Sequence, residues 1–203
     1  YRVGSRFAMA STDPFVNEMY ARALDLELQG KPDEARQLFR LAAEQEPELF
    51  WLRYEIALCT RNLREWDEAE AMFEALYTEA ENGAEPRALL ATLNSHGVMQ
   101  LNRNRYDEAG DLFRRSLAVA DQHGLAADRP KVLGNLALVA SRRGDLDSAA
   151  VYYDEALAAS EAAEIETAPT FLNNHAGLLL RLGDLERARA FSERAVEGFR
   201  VMG

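Results

Sequence analysis

Three histidines and one cysteine are the side chains here with the widest chemical reach, and their placement argues against metal or nucleophile chemistry. His96 and His175 sit at the same place in two copies of an internal repeat, the third and the fifth. Three helices intervene between those places. With neighbouring axes about 8–10 Å apart, the two rings should lie on the order of 20 Å from each other. A shared zinc would need both within about 2 Å, so packing is the expected role and no metal site is expected. His123 precedes Gly124 near a helix end, where a cation would meet the negative end of the dipole. Cys59 has no histidine near it in sequence and reads as a small buried hydrophobe. The Asp and Glu residues are expected on outward faces and in turns. No phosphate-binding glycine loop, HExxH or Cys-x2-Cys occurs. An enzyme is therefore not the expected class, and no cofactor is expected.

The elements that hold these residues repeat. GKPDEARQLF from Gly30, REWDEAEAMF from Arg64, NRYDEAGDLF from Asn104, GDLDSAAVYY from Gly144 and GDLERARAFS from Gly183 align without gaps. Ala35, Ala69, Ala109, Ala149 and Ala188 mark the register, 34, 40, 40 and 39 residues apart. Phe39, Phe73, Phe113 and Tyr153 follow four residues later, with Ser192 beside Phe191 in the fifth copy. That spacing places a small residue and an aromatic on one helical stripe. A second helix precedes each of these, carrying Arg22-Ala23, Ile56-Ala57, His96-Gly97, Leu136-Ala137 or His175-Ala176. A large residue followed by a small one reads as a close helix crossing. Gly144 and Gly183 suit left-handed helix ends. Asp145 and Asp184 suit N-caps, and Asp13-Pro14 suits a cap followed by proline in the first turn.

These residues resemble the tetratricopeptide repeat family over about residues 13–201. The 39- and 40-residue spacings look most like the longer-helix variant of kinesin light chains and bacterial peptide-sensing regulators. The expectation is an all-α, right-handed superhelix of five helix–turn–helix repeats, at about 14–48, 49–85, 86–127, 128–166 and 167–203. Its ten helices are expected near 13–29, 32–45, 49–62, 66–80, 86–102, 106–123, 128–143, 146–163, 167–182 and 185–201. That is ~80% helix, far above the roughly one-third typical of globular domains. Stacking makes this one structural unit. Residues 1–12 form an N-terminal extension; Tyr1 to Ala8 fit no repeat, and Met9 is the expected native start.

With Lys and Arg at 23 against 34 Asp and Glu, the net charge is −11, which disfavours nucleic acid and anionic membranes as partners. No run of 18 apolar residues occurs. A single cysteine excludes an internal disulfide, so a cytoplasmic setting is the expectation. Lysine occurs only at 31 and 131, an arginine bias that suits a GC-rich bacterial source.

The resemblance implies that the first helix of each repeat lines a concave groove. Two rows would then face a ligand: Tyr20, Tyr54, Asn94, Gly134 and Asn173, and four residues on Leu24, Leu58, Val98, Leu138 and Gly177. Trp51 joins the first row, one turn before Tyr54. Asn135 and Asn174, with Ser95, recur one place along, about 100° further round the helix, so one of the two sets is expected to bridge helices. Arg61, Arg103, Arg142 and Arg181 fall near the helix ends. Asn94 and Asn173 are the expected rungs for a peptide backbone, since an amide offers donor and acceptor side by side, and replacing both with alanine is expected to weaken binding.

The function expected is a non-catalytic scaffold that binds a peptide or protein partner. The competing readings are the ligand-sensing part of a larger transcription or signalling regulator, and a structural assembly subunit. Ala195, Val196, Phe199 and Met202 leave an apolar stripe at the last helix. Repeat arrays need a polar cap, so further chain or a second copy is expected there.

Overall fold

The computed structural model describes residues 11–202, and the side chains of residues 11–201. The expected N-terminal extension and Met9 start lie mostly or wholly outside those residues, as does the Met202 side chain. Ten α-helices run through the described residues: α1 Pro14–Leu28, α2 Pro32–Gln45, α3 Phe50–Asn62, α4 Trp66–Asn82, α5 Pro86–Asn102, α6 Tyr106–Gln122, α7 Arg129–Arg143, α8 Leu146–Ala162, α9 Pro169–Leu182 and α10 Leu185–Met202. They pair as five helix–turn–helix repeats. A 3-10 turn at Ala126–Asp128 leads into α7. Contacts divide the chain into two compact units, 1–95 and 96–203, with the division inside α5.

The caps do what their chemistry implies. Asp13 accepts from the amide of Phe15 at 2.8 Å, Asp145 from Ser148 at 3.0 Å and Asp184 from Arg187 at 3.1 Å. His123 stands at the C-cap of α6. Five places before each marker alanine the chain turns left-handed: Gly30, Arg64, Asn104, Gly144 and Gly183 all have positive φ. Glycine takes that conformation without strain, and asparagine tolerates it. Arg64, at φ 63°, does neither.

The marker alanines are the core. Ala35, Ala69, Ala109 and Ala149 are fully buried, and Ala188 is 1% exposed. In the first unit Phe39 sits among Val16, Ala23, Leu52 and Ile56, edge-on to Tyr20 at 5.5 Å. In the second, Phe113 packs with Val132, Leu136 and Val139, and Tyr153 with Ala137 and Leu178. Approach is close at Gly97: a Cβ there would stand 2.6 Å from Cε1 of Phe113. The small member of the His96-Gly97 pair is thus small because an aromatic ring occupies its space.

His175 shows where packing overrides polarity. Its ring is fully buried, stacked on Tyr153 at 4.8 Å and tilted against Phe191 at 4.5 Å. Neither ring nitrogen has a hydrogen-bond partner. Asp154 approaches only to 3.9 Å and is engaged at 2.9 Å by Arg187. Burial therefore holds the imidazole below its usual pKa, with Asp154 offsetting part of the shift.

At the far end, Ala195 is buried within its own repeat, while Leu185, Val196 and Phe199 of α10 are 66%, 50% and 44% exposed. In register these match Leu146, Leu157 and Ser160 of α8. Leu146 packs into the cluster that α9 joins through Leu178 and Phe171.

Three outcomes are expected. Arg64→Gly should raise stability by ~1 kcal/mol in a chemical melt, by relieving a left-handed non-glycine residue. Gly97→Ala, ordinarily favourable in a helix by roughly 1 kcal/mol, should instead lower stability by about 1–3 kcal/mol through overpacking on Phe113. For His175 the folded pKa lies below the unfolded value, so the unfolded chain takes up the proton first. Stability should be constant above about pH 6.5 and fall as pH drops below it. Melting of His175→Phe, whose ring suits the same stack, should lack that share of the acid loss.

Candidate functional site

The face expected to bind belongs to the first helices, and in the first unit it is occupied by a polar ladder. The Tyr20 hydroxyl of α1 donates to Oε1 of Glu55 on α3 at 3.3 Å. The Tyr54 hydroxyl of α3 lies 2.6 Å from Oγ of Ser95 on α5 and donates to the carbonyl of Ala91 at 3.3 Å. Tyr20 and Tyr54 hold equivalent places, as do Glu55 and Ser95. Each tyrosine therefore bonds the residue one place along in the next first helix. Asn135 and Asn174 occupy the Glu55 place in later repeats; within that set Ser95 is the residue seen to bridge helices.

Most of the expected aromatic and apolar contacts are consequently interior. Tyr20 is 5% exposed, Tyr54 3%, Leu24 8% and Leu58 4%. Trp51 is half-buried, its ring edge-on to Phe50 at 5.0 Å and to Tyr54 at 5.5 Å. Asn94 is 1% exposed and engaged within the protein. A ligand could reach its amide only by displacing packed side chains, so the expected rung at Asn94 does not fit this geometry. Val98, Asn135 and Leu138 are half-buried, while Asn173, Asn174 and Gly177 are exposed.

The second unit opens the same face. The place of Tyr54 is taken on α7 by Gly134, and the ring of Phe171 fills the room left: a Cβ there would stand 2.9 Å from its Cδ2. No side chain at Gly134 can extend the ladder to Asn174. Two parallel stripes result, spaced i, i+4, i+7, i+11 along a helix face. Lys131, Asn135, Leu138 and Arg142 line α7; Asn174, Gly177 and Arg181 line the neighbouring α9. Lys131, Arg142, Asn174 and Arg181 are exposed. Arg181 ties the helices together, donating from Nη1 to the Ser141 carbonyl at 3.1 Å and to its hydroxyl at 2.8 Å. The charged side chains on these stripes are all cationic, in a chain of net charge −11.

Two buried ionic groups escaped the sequence reading. Acidic residues were expected on outward faces, yet Glu55 is fully buried beneath Tyr20. Its place inside the apolar run from Leu52 to Cys59 was the available signal. Arg36 is 8% exposed; Nη1 donates to Glu65 and Nη2 reaches its Oε1 at 3.2 Å, with Asp33 at 3.1 Å and the Thr60 hydroxyl at 3.5 Å.

Nucleophile chemistry finds no support at Cys59. The thiol donates to Oε1 of Glu27 at 3.6 Å, and burial, with the Glu27 and Glu55 carboxylates, pushes its pKa well up. A protonated thiol is a poor nucleophile. Among the described residues no three His, Cys, Asp or Glu side chains gather as a metal site, and no helix is long and apolar enough to cross a membrane.

Comparison with known proteins fits this architecture. The chain matches models of the tetratricopeptide repeat at residues 26–93, 88–162 and 169–194. No functionally curated protein matches it. Among solved structures it is similar to BtubC (BKLC) from P. vanneervenii, at 21% identity and TM-score 0.72, covering 92% of this chain and 80% of that one. It is also similar to aspartyl phosphate phosphatase F of Bacillus subtilis, at 14% identity and TM-score 0.70, covering 92% of this chain and 61% of that one. A putative kinesin light chain repeat protein of Podosopora anserina follows at 15% identity and TM-score 0.68, with 90% and 93% covered. Those identities speak to fold alone. With repeat models spanning most of its length and five helix pairs in one register, the chain belongs to the tetratricopeptide repeat family.

Proposed function

We propose that this chain is a non-catalytic interaction module that holds an extended, acidic peptide segment of a protein partner across α7 and α9. The observation that carries the reading is the pair of stripes: Lys131, Asn135, Leu138 and Arg142 beside Asn174, Gly177 and Arg181. Amides pair with a peptide backbone, and the cations select carboxylates. Gly177 keeps the surface low between them. An extended chain advances about 3.3 Å per residue. Helices spaced ~8–10 Å apart would then meet roughly every third ligand residue. Asn173, named from the sequence, flanks the same stripe, while the buried tyrosines of the first unit serve as scaffold.

Selection of peptides from a random library on the immobilised chain should recover sequences enriched in Asp and Glu. Fluorescence anisotropy with a recovered peptide should show Arg142→Glu with Asn174→Ala weakening binding by roughly tenfold or more, about 1.4 kcal/mol. Added salt should weaken the wild type as well. Equal affinity in the double variant with unchanged melting, or recovered peptides without acidic residues, would sink the reading.

A further inference from the structure

A second place in the molecule invites a ligand, and it lies between α6, α7 and the start of α8, away from the stripes. A cleft of about 370 Å³ opens there, with Leu136, Val139 and Ala140 as its floor and Arg114, Arg143, Asp145, Ser148 and Tyr152 around it. That volume would take roughly a dozen waters.

The repeat itself shows what such a cleft is built to hold. In the first unit the corresponding floor is Ile56, Cys59 and Thr60, and the corresponding acid is Glu65 in place of Asp145. The guanidinium of Arg36 fills that cleft, bonded to Glu65, Asp33 and Thr60. One residue after the marker alanine, where α2 has Arg36, α6 has Gly110. The acids remain: Asp145 matches Glu65 and Asp107 matches Asp33. The Thr60 hydroxyl is not kept, its place being Ala140, so the second cleft is the first one with its arginine side chain deleted and its two carboxylates kept. We propose that it receives a guanidinium-bearing side chain from a protein partner, seated on Leu136, Val139 and Ala140 with its cation on Asp145.

The rim arginines do not oppose this. Arg143 is neutralised by Asp107 at 2.9 Å, and Arg114 by Asp111. The first cleft already has a rim arginine beside its buried guanidinium, Arg40, paired with Glu68. In the second cleft the Glu68 place is Ser148, and Asp111, at the Gln37 place, takes over as the partner of the rim arginine. Hydrogen bonding from the Ser148 side chain, with its backbone amide on Oδ1 and Arg143 nearby, holds the Asp145 carboxyl below its usual range and keeps it ionised. Space for the missing side chain exists at its root: a Cβ on Gly110 would lie 3.7 Å from Cγ1 of Val139 and 3.4 Å from Nη1 of Arg114.

Ethylguanidinium tests the site, with inorganic phosphate as the opposing probe. Each is titrated into the full chain while the amide resonances of Ala140, Asp145 and Ser148 are followed. Ethylguanidinium should give saturable shifts with a Kd on the order of 10 mM. Gly110→Arg should abolish them by filling the cleft from within. Asp145→Asn, which keeps the helix cap because asparagine caps as well as aspartate, should weaken binding about threefold or more through loss of the charge. Non-saturating shifts, Gly110→Arg or Asp145→Asn titrating like the wild type, or saturation by phosphate and not by ethylguanidinium would each overturn the proposal. None of these outcomes bears on the stripes of α7 and α9, so this site and the proposed peptide surface stand or fall separately.

Discussion

Close crossing of helices at one small residue per helix is the constraint on which the rest of this molecule depends. At Ala35, Ala69, Ala109, Ala149 and Ala188 the second helix of each repeat carries only a methyl group. At Gly97 the first helix carries none, because the Phe113 ring lies against its backbone. Interiors are packed to crystal-like density, so such a contact admits no extra methylene and tolerates no missing ring. Phe39, Phe113 and Tyr153 are each buried against the next first helix. Fixing the register at the alanines therefore fixes which residues of the first helices share a face.

Repetition of that contact explains why so much was legible in the sequence. Alanine–aromatic spacing, aspartate caps and Gly144 and Gly183 at helix ends are local signals, and each helix was placed within about two residues of where it lies. The candidate surface was harder to read, because exposure depends on the neighbouring repeat. Tyr20, Tyr54 and Asn94 satisfy a groove pattern in sequence, yet neighbouring helices cover them. Asn173 and Asn174 carry the same pattern and are exposed. What separates the two cases is Gly134, whose missing side chain interrupts the ladder two helices before it would reach Asn174.

Buried polar groups mark the places where the repeats differ most. Burying a charge costs several kcal/mol unless it is paired and hydrogen-bonded. Arg36 meets that cost with Glu65, Asp33 and Thr60. His175 avoids it by staying neutral among Tyr153, Phe171 and Phe191. Packing of His175 was expected from its place in the repeat, whereas Arg36 was invisible to a reading of hydrophobic periodicity, which sees only a polar letter on an apolar stripe. Arg22 and Arg36 look alike by that measure, but Arg22 is exposed with Glu18 as its partner, and Arg36 is interior.

An internal repeat therefore carries its own control. Because the scaffold places equivalent backbone positions in equivalent surroundings, a substitution in one copy can be judged against the copy that lacks it. Gly134 against Tyr54 turns a sealed helix face into an exposed one. Gly110 against Arg36 turns a filled cleft into an open one. In both cases the change is a deletion of side chain from a place where polar residues still stand: Asn174 in the first, Asp107 and Asp145 in the second. Supporting residues cost little where they stand in solvent, so their persistence alone proves nothing about use. What gives these two places functional weight is chemistry. Each deletion exposes groups whose bonding capacity the equivalent copy fills from within the chain, and that a partner's backbone or guanidinium would fill from outside.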